Sequence, residues 1–304
     1  MIERRAAFHA LHHTGRPLLL PNAWDHASAA ALAARGHPAV GTTSLGVAAT
    51  AGLPDGAAAT AEETLALARR LARLPVLLSV DVEAGFSDDP AEVAGYVAEL
   101  AGLGVVGINL EDGRSDGTLA DPECVAEKIA AVKAAVPDLF VNARTDTWWL
   151  NVADPLPQAL RRAHAYRAAG ADGIFVPGTV DAATLRLLTE RLDAPVNALY
   201  QPGGPGLTEL GRAGVARVST GSLLFRAALG AAVTAADAVR AGGLTAPAGL
   251  PSYAEVQDLV PGAGRLAESL AVSAWALRVQ QVQHWADRER QHDDQCPGVP
   301  VEVA

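Results

Sequence analysis

"PVLLSVDVEAGFSDDPAEVAGYVAELAGLGVVGINLEDG", residues 75–113, decides the fold. It begins as an apolar, β-rich run, breaks at a Gly/Ser/Asp/Pro cluster, continues as an Ala- and Leu-rich stretch with helical spacing, and returns to a β-rich run after Gly104. Strand, helix, strand in that order is the unit of a parallel sheet, because a parallel return requires a crossover. The pattern extends in both directions. "PLLLPNAWD" (17–25), "AVGTTSLG" (39–46), "DLFVNARTDT" (138–147), "DGIFVPG" (172–178), "APVNALY" (194–200) and "GVARVSTG" (214–221) read as further strands, separated by helical stretches such as "AEETLALARRLARL" and "PECVAEKIAAVKAAV". Together with the two strands of the opening segment they predict a (β/α)8 TIM barrel over residues 1–243, in preference to an open doubly wound sheet. In "AAGADGIFV" and "GRAGVARVS" a glycine precedes the strand, as a left-handed helix cap and a short αβ loop require.

The strand ends carry the chemistry. Asn22 and Asp25, Thr43 to Gly46, Asp81 and Glu83, Glu111 and Asp112, Arg144 and Asp146, Asn197, and Ser219 follow the apolar runs, and in a barrel those ends converge on one mouth. Period-two alternation puts Asp81 and Glu83 on one face of their strand. If Asp81, Glu83, Glu111 and Asp55 share that mouth, each like-charged pair ~5 Å apart costs about 3 kcal/mol at an effective dielectric near 20. Raised pKa values or a divalent cation must answer that repulsion. A donor set of Asp and Glu without His or Cys selects Mg2+ or Mn2+ over Zn2+. Arg144, one strand further round, is placed to grip a substrate carboxylate through two nitrogens; its competing reading is an ion pair with Asp146 or Glu111.

At these residues the chain resembles the isocitrate lyase and phosphoenolpyruvate mutase superfamily. The segments "NAWDHASAAALAARGHPAVGTTSLGVAATAGLPDG", "SVDVEAGF", "GINLEDG", "VNARTDT" and "GVARVSTG" carry the resemblance in the family's order, over residues 5–240. The resemblance implies a Mg2+-dependent barrel that breaks or moves a C–C or P–C bond of a small 2-oxo or 2-hydroxy di- or tricarboxylic acid through a pyruvate-type enolate, by cleavage or decarboxylation, with no organic cofactor. It makes Asp81 the direct metal ligand and Glu83, Glu111 and Asp55 the carboxylates that hold metal-bound water. Arg144 becomes the substrate-carboxylate arginine. Thr43, Ser44, Leu45 and Gly46 become the oxyanion loop, Trp24 its wall, and Asn197 and Ser219 later-strand contacts.

One loop departs from the family pattern. Lyases of this kind carry a Cys acid/base after the Glu-Asp of strand four, and mutases an Asn; "EDGRSDGTLADPE" (111–123) has neither, and no His. Asp112 and Asp116 are the local substitutes for the acid/base. A phosphonopyruvate hydrolase or mutase, and a barrel that binds an oxyacid without turning it over, are the alternatives to a lyase.

Composition bounds the remainder. The chain has 304 residues, 50% of them hydrophobic, and a net charge of −10, which argues against a nucleic-acid footprint. No segment approaches the ~18 apolar residues of a membrane span, no leader is evident, and the two cysteines have no ligand-like spacing; a cytoplasmic protein is expected. His12 and His13 are expected at the surface of an N-terminal helix, and Trp148 and Trp149 in loop packing. Residues 244–291 read as a helical extension, with one long amphipathic helix at 264–291, and 292–304 as a disordered tail. The apolar stripe of that helix predicts a homodimer or homotetramer.

Overall fold

The computed structural model describes residues 2–178 and 181–260. The helix expected at 264–291 and the tail after it lie outside the described residues. The described residues form nine parallel strands: β1 (Leu18–Leu20), β2 (Asn22–Ala23), β3 (Ala39–Thr42), β4 (Leu77–Asp81), β5 (Gly107–Glu111), β6 (Phe140–Arg144), β7 (Gly173–Phe175), β8 (Val196–Leu199) and β9 (Arg217–Ser219). Their order is β1-β9-β8-β7-β6-β5-β4-β3-β2. Because only Pro21 separates β1 from β2, the two form a single stave: its first half pairs with β9 and its second with β3, and the sheet closes into the eight-staved barrel. Asn22 staples the seam. Its Oδ1 accepts from the backbone N–H of Thr220 and of Gly221, both at 2.9 Å, while its Nδ2 donates to the Thr42 carbonyl at 2.7 Å.

Around the staves run α1 (Ile2–Ala10), α2 (His26–Ala34), α3 (Ser44–Ala51), α4 (Ala61–Leu71), α5 (Pro90–Gly102), α6 (Pro122–Ala135), α7 (Pro155–Ala168), α8 (Ala182–Arg191), α9 (Leu207–Arg212), α10 (Leu223–Arg240) and α11 (Tyr253–Gln257). Asp89, Asp121 and Asp181 cap the starts of α5, α6 and α8, as their Asp-Pro and Asp-Ala junctions lead one to expect. Gly170 at φ 104° and Gly214 at φ 82° are the left-handed caps read from sequence.

Alternation along each strand makes two cores. Val80, Ile108, Leu110, Val141, Ile174 and Val218 turn outward against Leu67, Leu71, Val93, Val97, Ile129 and Tyr166 of the helices. Leu18, Leu77 and Phe140 turn inward and are covered from below by α1: Phe8 meets Phe140 edge-on at 5.5 Å. His12 corrects the sequence expectation. It is 4% exposed and stacked on Phe140 at 4.1 Å, because α1 plugs the barrel floor and the turn that follows it carries His12 inward; His13 beside it is exposed.

Candidate active site

Three consecutive staves bring the acidic groups to one end. In register, Asp81 lies beside Asn109, and Glu111 beside Arg144. Arg144 Nη1 meets Glu111 Oε2 at 2.7 Å and its Nε meets Asp146 Oδ1 at 2.7 Å. Both competing ion pairs of the sequence reading therefore form together. Among the described residues Nη2 makes no hydrogen bond, which leaves one nitrogen, rather than a free fork, for a ligand. The guanidinium carbon lies 5.9 Å from the Trp149 ring centroid and 5.7 Å from that of Phe175, which restrict its plane. Trp148 packs on the core as expected, whereas Trp149 is 55% exposed.

Glu83 does not continue the strand. Its φ of 50° takes the chain out of β geometry directly after Asp81, so the period-two reading that paired the two carboxylates ends there. The buried Glu83 carboxylate accepts from Thr60 Oγ1 at 2.6 Å and from the Ala58 N–H at 3.0 Å. It thereby ties down the 53–60 loop that carries the exposed Asp55. Asp81 Oδ1 takes the Glu83 N–H at 3.3 Å.

The electrostatics are those of crowded carboxylates. Burial pushes Asp81 up to about 6, helped by Asp55 and Glu83 and opposed by Arg144. Burial likewise pushes Glu111 up to about 8, with Asp146, Asp81 and Glu83 adding to it against Arg144. Arg144 is held above its usual value: burial opposes this, and Glu111, Asp146 and Asp81 outweigh it.

These residues suit a hard divalent cation bound by few direct ligands. Among the described residues no three His, Cys, Asp or Glu side chains converge tightly enough to hold a metal ion by themselves. Mg2+ is commonly held by one or two carboxylates, with waters and substrate oxygens completing its shell. Asp81 is free of any cationic hydrogen-bond partner and has Asp55, Glu83 and Glu111 acting on it electrostatically. An oxygen-only donor set with raised pKa values is the set a magnesium ion would relax.

After β3, the stave paired with Asp81's own β4, α3 starts at Ser44 with Thr43 as an N-cap whose side chain makes no capping bond. The first N–H groups of a helix have no internal partner, so those of Ser44, Leu45 and Gly46 are available to an oxyanion. Gly46 is required by packing: a Cβ there would lie 2.7 Å from Trp24 Cβ and 2.9 Å from Thr43 Cγ2. Trp24 stands edge-on to Phe225 at 5.5 Å. Asn197 and Ser219 are 1% and 2% exposed and bonded to each other, Ser219 Oγ donating to Asn197 Oδ1 at 3.3 Å.

The two acid/base candidates from sequence are placed differently from that expectation. Asp112 is fully buried, and both of its oxygens are committed: Oδ1 to the Asp146 N–H at 2.9 Å, Oδ2 to Tyr166 Oη at 2.7 Å and Arg162 Nη1 at 3.1 Å. It anchors Asp146, and through it Arg144, from behind. Asp116 sits on an exposed turn closed by Arg114 N–H to Thr118 carbonyl at 2.9 Å, and its carboxylate accepts from Thr118 Oγ1 at 2.6 Å. Sequence reading missed Thr60, Arg162 and Tyr166, whose roles depend on long-range contacts that leave no local motif.

Residues 8–240 match the family model described as phosphoenolpyruvate phosphomutase. An uncharacterized protein of Mycobacterium tuberculosis (strain ATCC 25618 / H37Rv) is 48% identical over 251 residues, 83% of this chain and 95% of that one. A 2-methylisocitrate lyase of Halalkalibacterium halodurans is 32% identical over 206 residues, covering 64% of each chain. Among solved structures, a phosphonopyruvate hydrolase complexed with oxalate and Mg2+ superposes with a TM-score of 0.72 at 26% identity, over 84% of this chain and 94% of that one.

Proposed function

Because this chain belongs to the phosphoenolpyruvate phosphomutase family, we propose that it is a Mg2+-dependent lyase, cleaving a small 2-oxo or 2-hydroxy acid at a C–C bond to leave a pyruvate-type enolate. The observation that carries this reading is the constellation of Asp81, Glu111 and Arg144 on three consecutive staves, with both carboxylates raised toward neutrality. Asp81 would hold the ion directly, and Glu83, Glu111 and Asp55 would hold it through water. Bound there, Mg2+ supplies Lewis-acid stabilisation of the developing enolate oxygen, worth several kcal/mol.

The chain's own groups do the rest. Arg144, fixed by Glu111 and Asp146, presents Nη2 to the substrate carboxylate. The N–H groups of Ser44, Leu45 and Gly46 offer oxyanion stabilisation, of which one good donor is worth roughly 3 kcal/mol. Trp24 and Phe225 wall the same side. The 113–120 turn carries no free acid or base, since Thr118 holds Asp116 and α7 holds Asp112, so solvent takes the hydroxyl proton of a 2-hydroxy substrate and returns a proton to the departing enolate.

Release of a 2-oxo acid, pyruvate from oxaloacetate, 2-methylisocitrate, dimethylmalate and phosphonopyruvate and glyoxylate from isocitrate, each with Mg2+ and with EDTA, tests the reading. Metal-dependent release from a C–C substrate, lost in Asp81→Ala, is expected. Release from phosphonopyruvate alone would move the assignment to P–C chemistry, and no release with Mg2+ still bound would make the barrel a binding protein.

A further inference from the structure

A charge interrupts the apolar stripe of α6. Val125, Ile129 and Val132 follow the i, i+4, i+7 spacing of a buried helix face, and the i+3 position of that face, where the pattern calls for another apolar side chain, is Lys128. Lys128 is 6% exposed. Its Nζ donates to the Ala84 carbonyl at 3.0 Å, and the carboxylate paired with it, Asp88 at 3.5 Å, belongs to a side chain that stands fully in water. An ammonium carries three donors and is costly to bury beside so few acceptors, so an apolar side chain of similar length would serve the packing of α6 better. The carbonyl that Lys128 holds accounts for the charge.

Ala84 lies in the middle of the turn that follows β4. Glu83, Gly85 and Phe86 in that turn have positive φ, at 50°, 96° and 60°. Glu83 and Phe86 are not glycine, and such conformations persist only where the surroundings over-determine them. The turn is pinned at several points: the Gly85 N–H donates to the Val82 carbonyl at 2.8 Å, the Glu83 carbonyl accepts the Glu111 N–H at 2.9 Å, and Phe86 stands edge-on to Tyr96 of α5 at 5.1 Å. Between those points the Ala84 carbonyl is held by Lys128. What the turn delivers is Glu83. Its carboxylate reaches Thr60 and the Ala58 N–H, and its own N–H meets Asp81 Oδ1. With Glu83 in extended geometry, at φ of about −120°, that carboxylate and that N–H would both point elsewhere.

We propose that Lys128 is a positioning residue of the metal site: by holding the Ala84 carbonyl it locks the left-handed turn that aims the Glu83 carboxylate and orients Asp81 through the Glu83 N–H. The inference rests on the Mg2+ reading of the mouth. It adds to that reading a cation on an outer helix, which acts on the ion only through the turn.

Mn2+, which suits the same all-oxygen donors, is the probe, with the free ion read by electron paramagnetic resonance. The unsubstituted protein should bind it, and Asp81→Ala should not. Lys128→Met, which restores the apolar stripe, should weaken Mn2+ binding about tenfold, the lower end of what groups behind metal ligands are worth. Its metal-free melting temperature should stay the same or rise, because a buried charge has gone. Lys128→Arg keeps a cationic donor for the carbonyl and should return the affinity to within about threefold of the unsubstituted protein. If Lys128→Met does not fold, Lys128→Gln takes its place, with a shorter and uncharged amide. Affinity within about twofold of the unsubstituted protein in the uncharged variant, or a loss that Lys128→Arg does not repair, would overturn the role of Lys128 and leave the metal site standing. Mn2+ binding that is absent from the unsubstituted protein, or that survives Asp81→Ala, would overturn the metal reading and this inference with it.

Discussion

Arg144 commits Nε to Asp146 and Nη1 to Glu111, so the direction of Nη2 is set before a ligand arrives. Such preorganisation converts a flexible cation into a positioned one. Gly113 is part of that arrangement: a Cβ there would come within 2.3 Å of Asp146 Oδ2. Gly113→Ala must displace the Asp146 carboxylate, at a cost of about 1–3 kcal/mol by chemical denaturation, and should weaken pyruvate binding by calorimetry. Unchanged stability and binding would show that Asp146 has slack. Arg144 was legible as a charged residue at a strand end. Its second nitrogen's engagement with Asp146, two residues on, appeared in the sequence only as an alternative to ligand binding, because a spacing cannot say that both partners fit around one guanidinium.

At the scale of elements, alternation explains both the successes and the misreadings. Asp81 and Glu111 end β4 and β5 with side chains toward the lumen, and the period-two pattern found them. The same rule, applied strictly, sends Asp112 outward, and it does lie against Arg162 and Tyr166 of α7. Assigning it acid/base chemistry overlooked that parity. Glu83 was unreadable for another reason: a Glu at φ 50° announces nothing in composition, and only its contacts with Thr60 and Ala58 reveal the turn. Asp112→Asn leaves Arg162 with a buried, unpaired charge and should destabilise the fold by about 3–5 kcal/mol in a urea titration. Loss of activity with stability intact would instead return Asp112 to the chemistry. α10 raises the question of partners: its Leu229, Val233 and Val239 are 55%, 56% and 62% exposed, and Leu229 and Val233 share one face. Self-association through that face is the expected outcome of sedimentation at micromolar concentration, and a monomer would remove it.

For the whole molecule, the eight repeats of strand and helix specified the barrel, and the ninth assigned strand follows from Pro21 dividing one stave. The plug was not legible, since α1 reads as a short polar helix until Phe8 and His12 are seen against Phe140. That burial gives the fold a titration of its own. Burial pushes His12 down to about 3, with Arg217 acting in the same direction. The folded value lies below the unfolded one near 6.5, so the unfolded chain binds a proton here that the native chain refuses. Stability from this group is therefore complete above about pH 6.5 and is lost as the pH falls toward 3. At roughly pH 5 the loss is about 2 kcal/mol. His12→Phe keeps a ring against Phe140 and cannot take up the proton. Between roughly pH 7.5 and roughly pH 5 the unsubstituted protein should lose about 2 kcal/mol more unfolding free energy than the variant. Parallel profiles would mean that His12 is protonated in the folded barrel, with its Nε2 donating to an acceptor in the lumen.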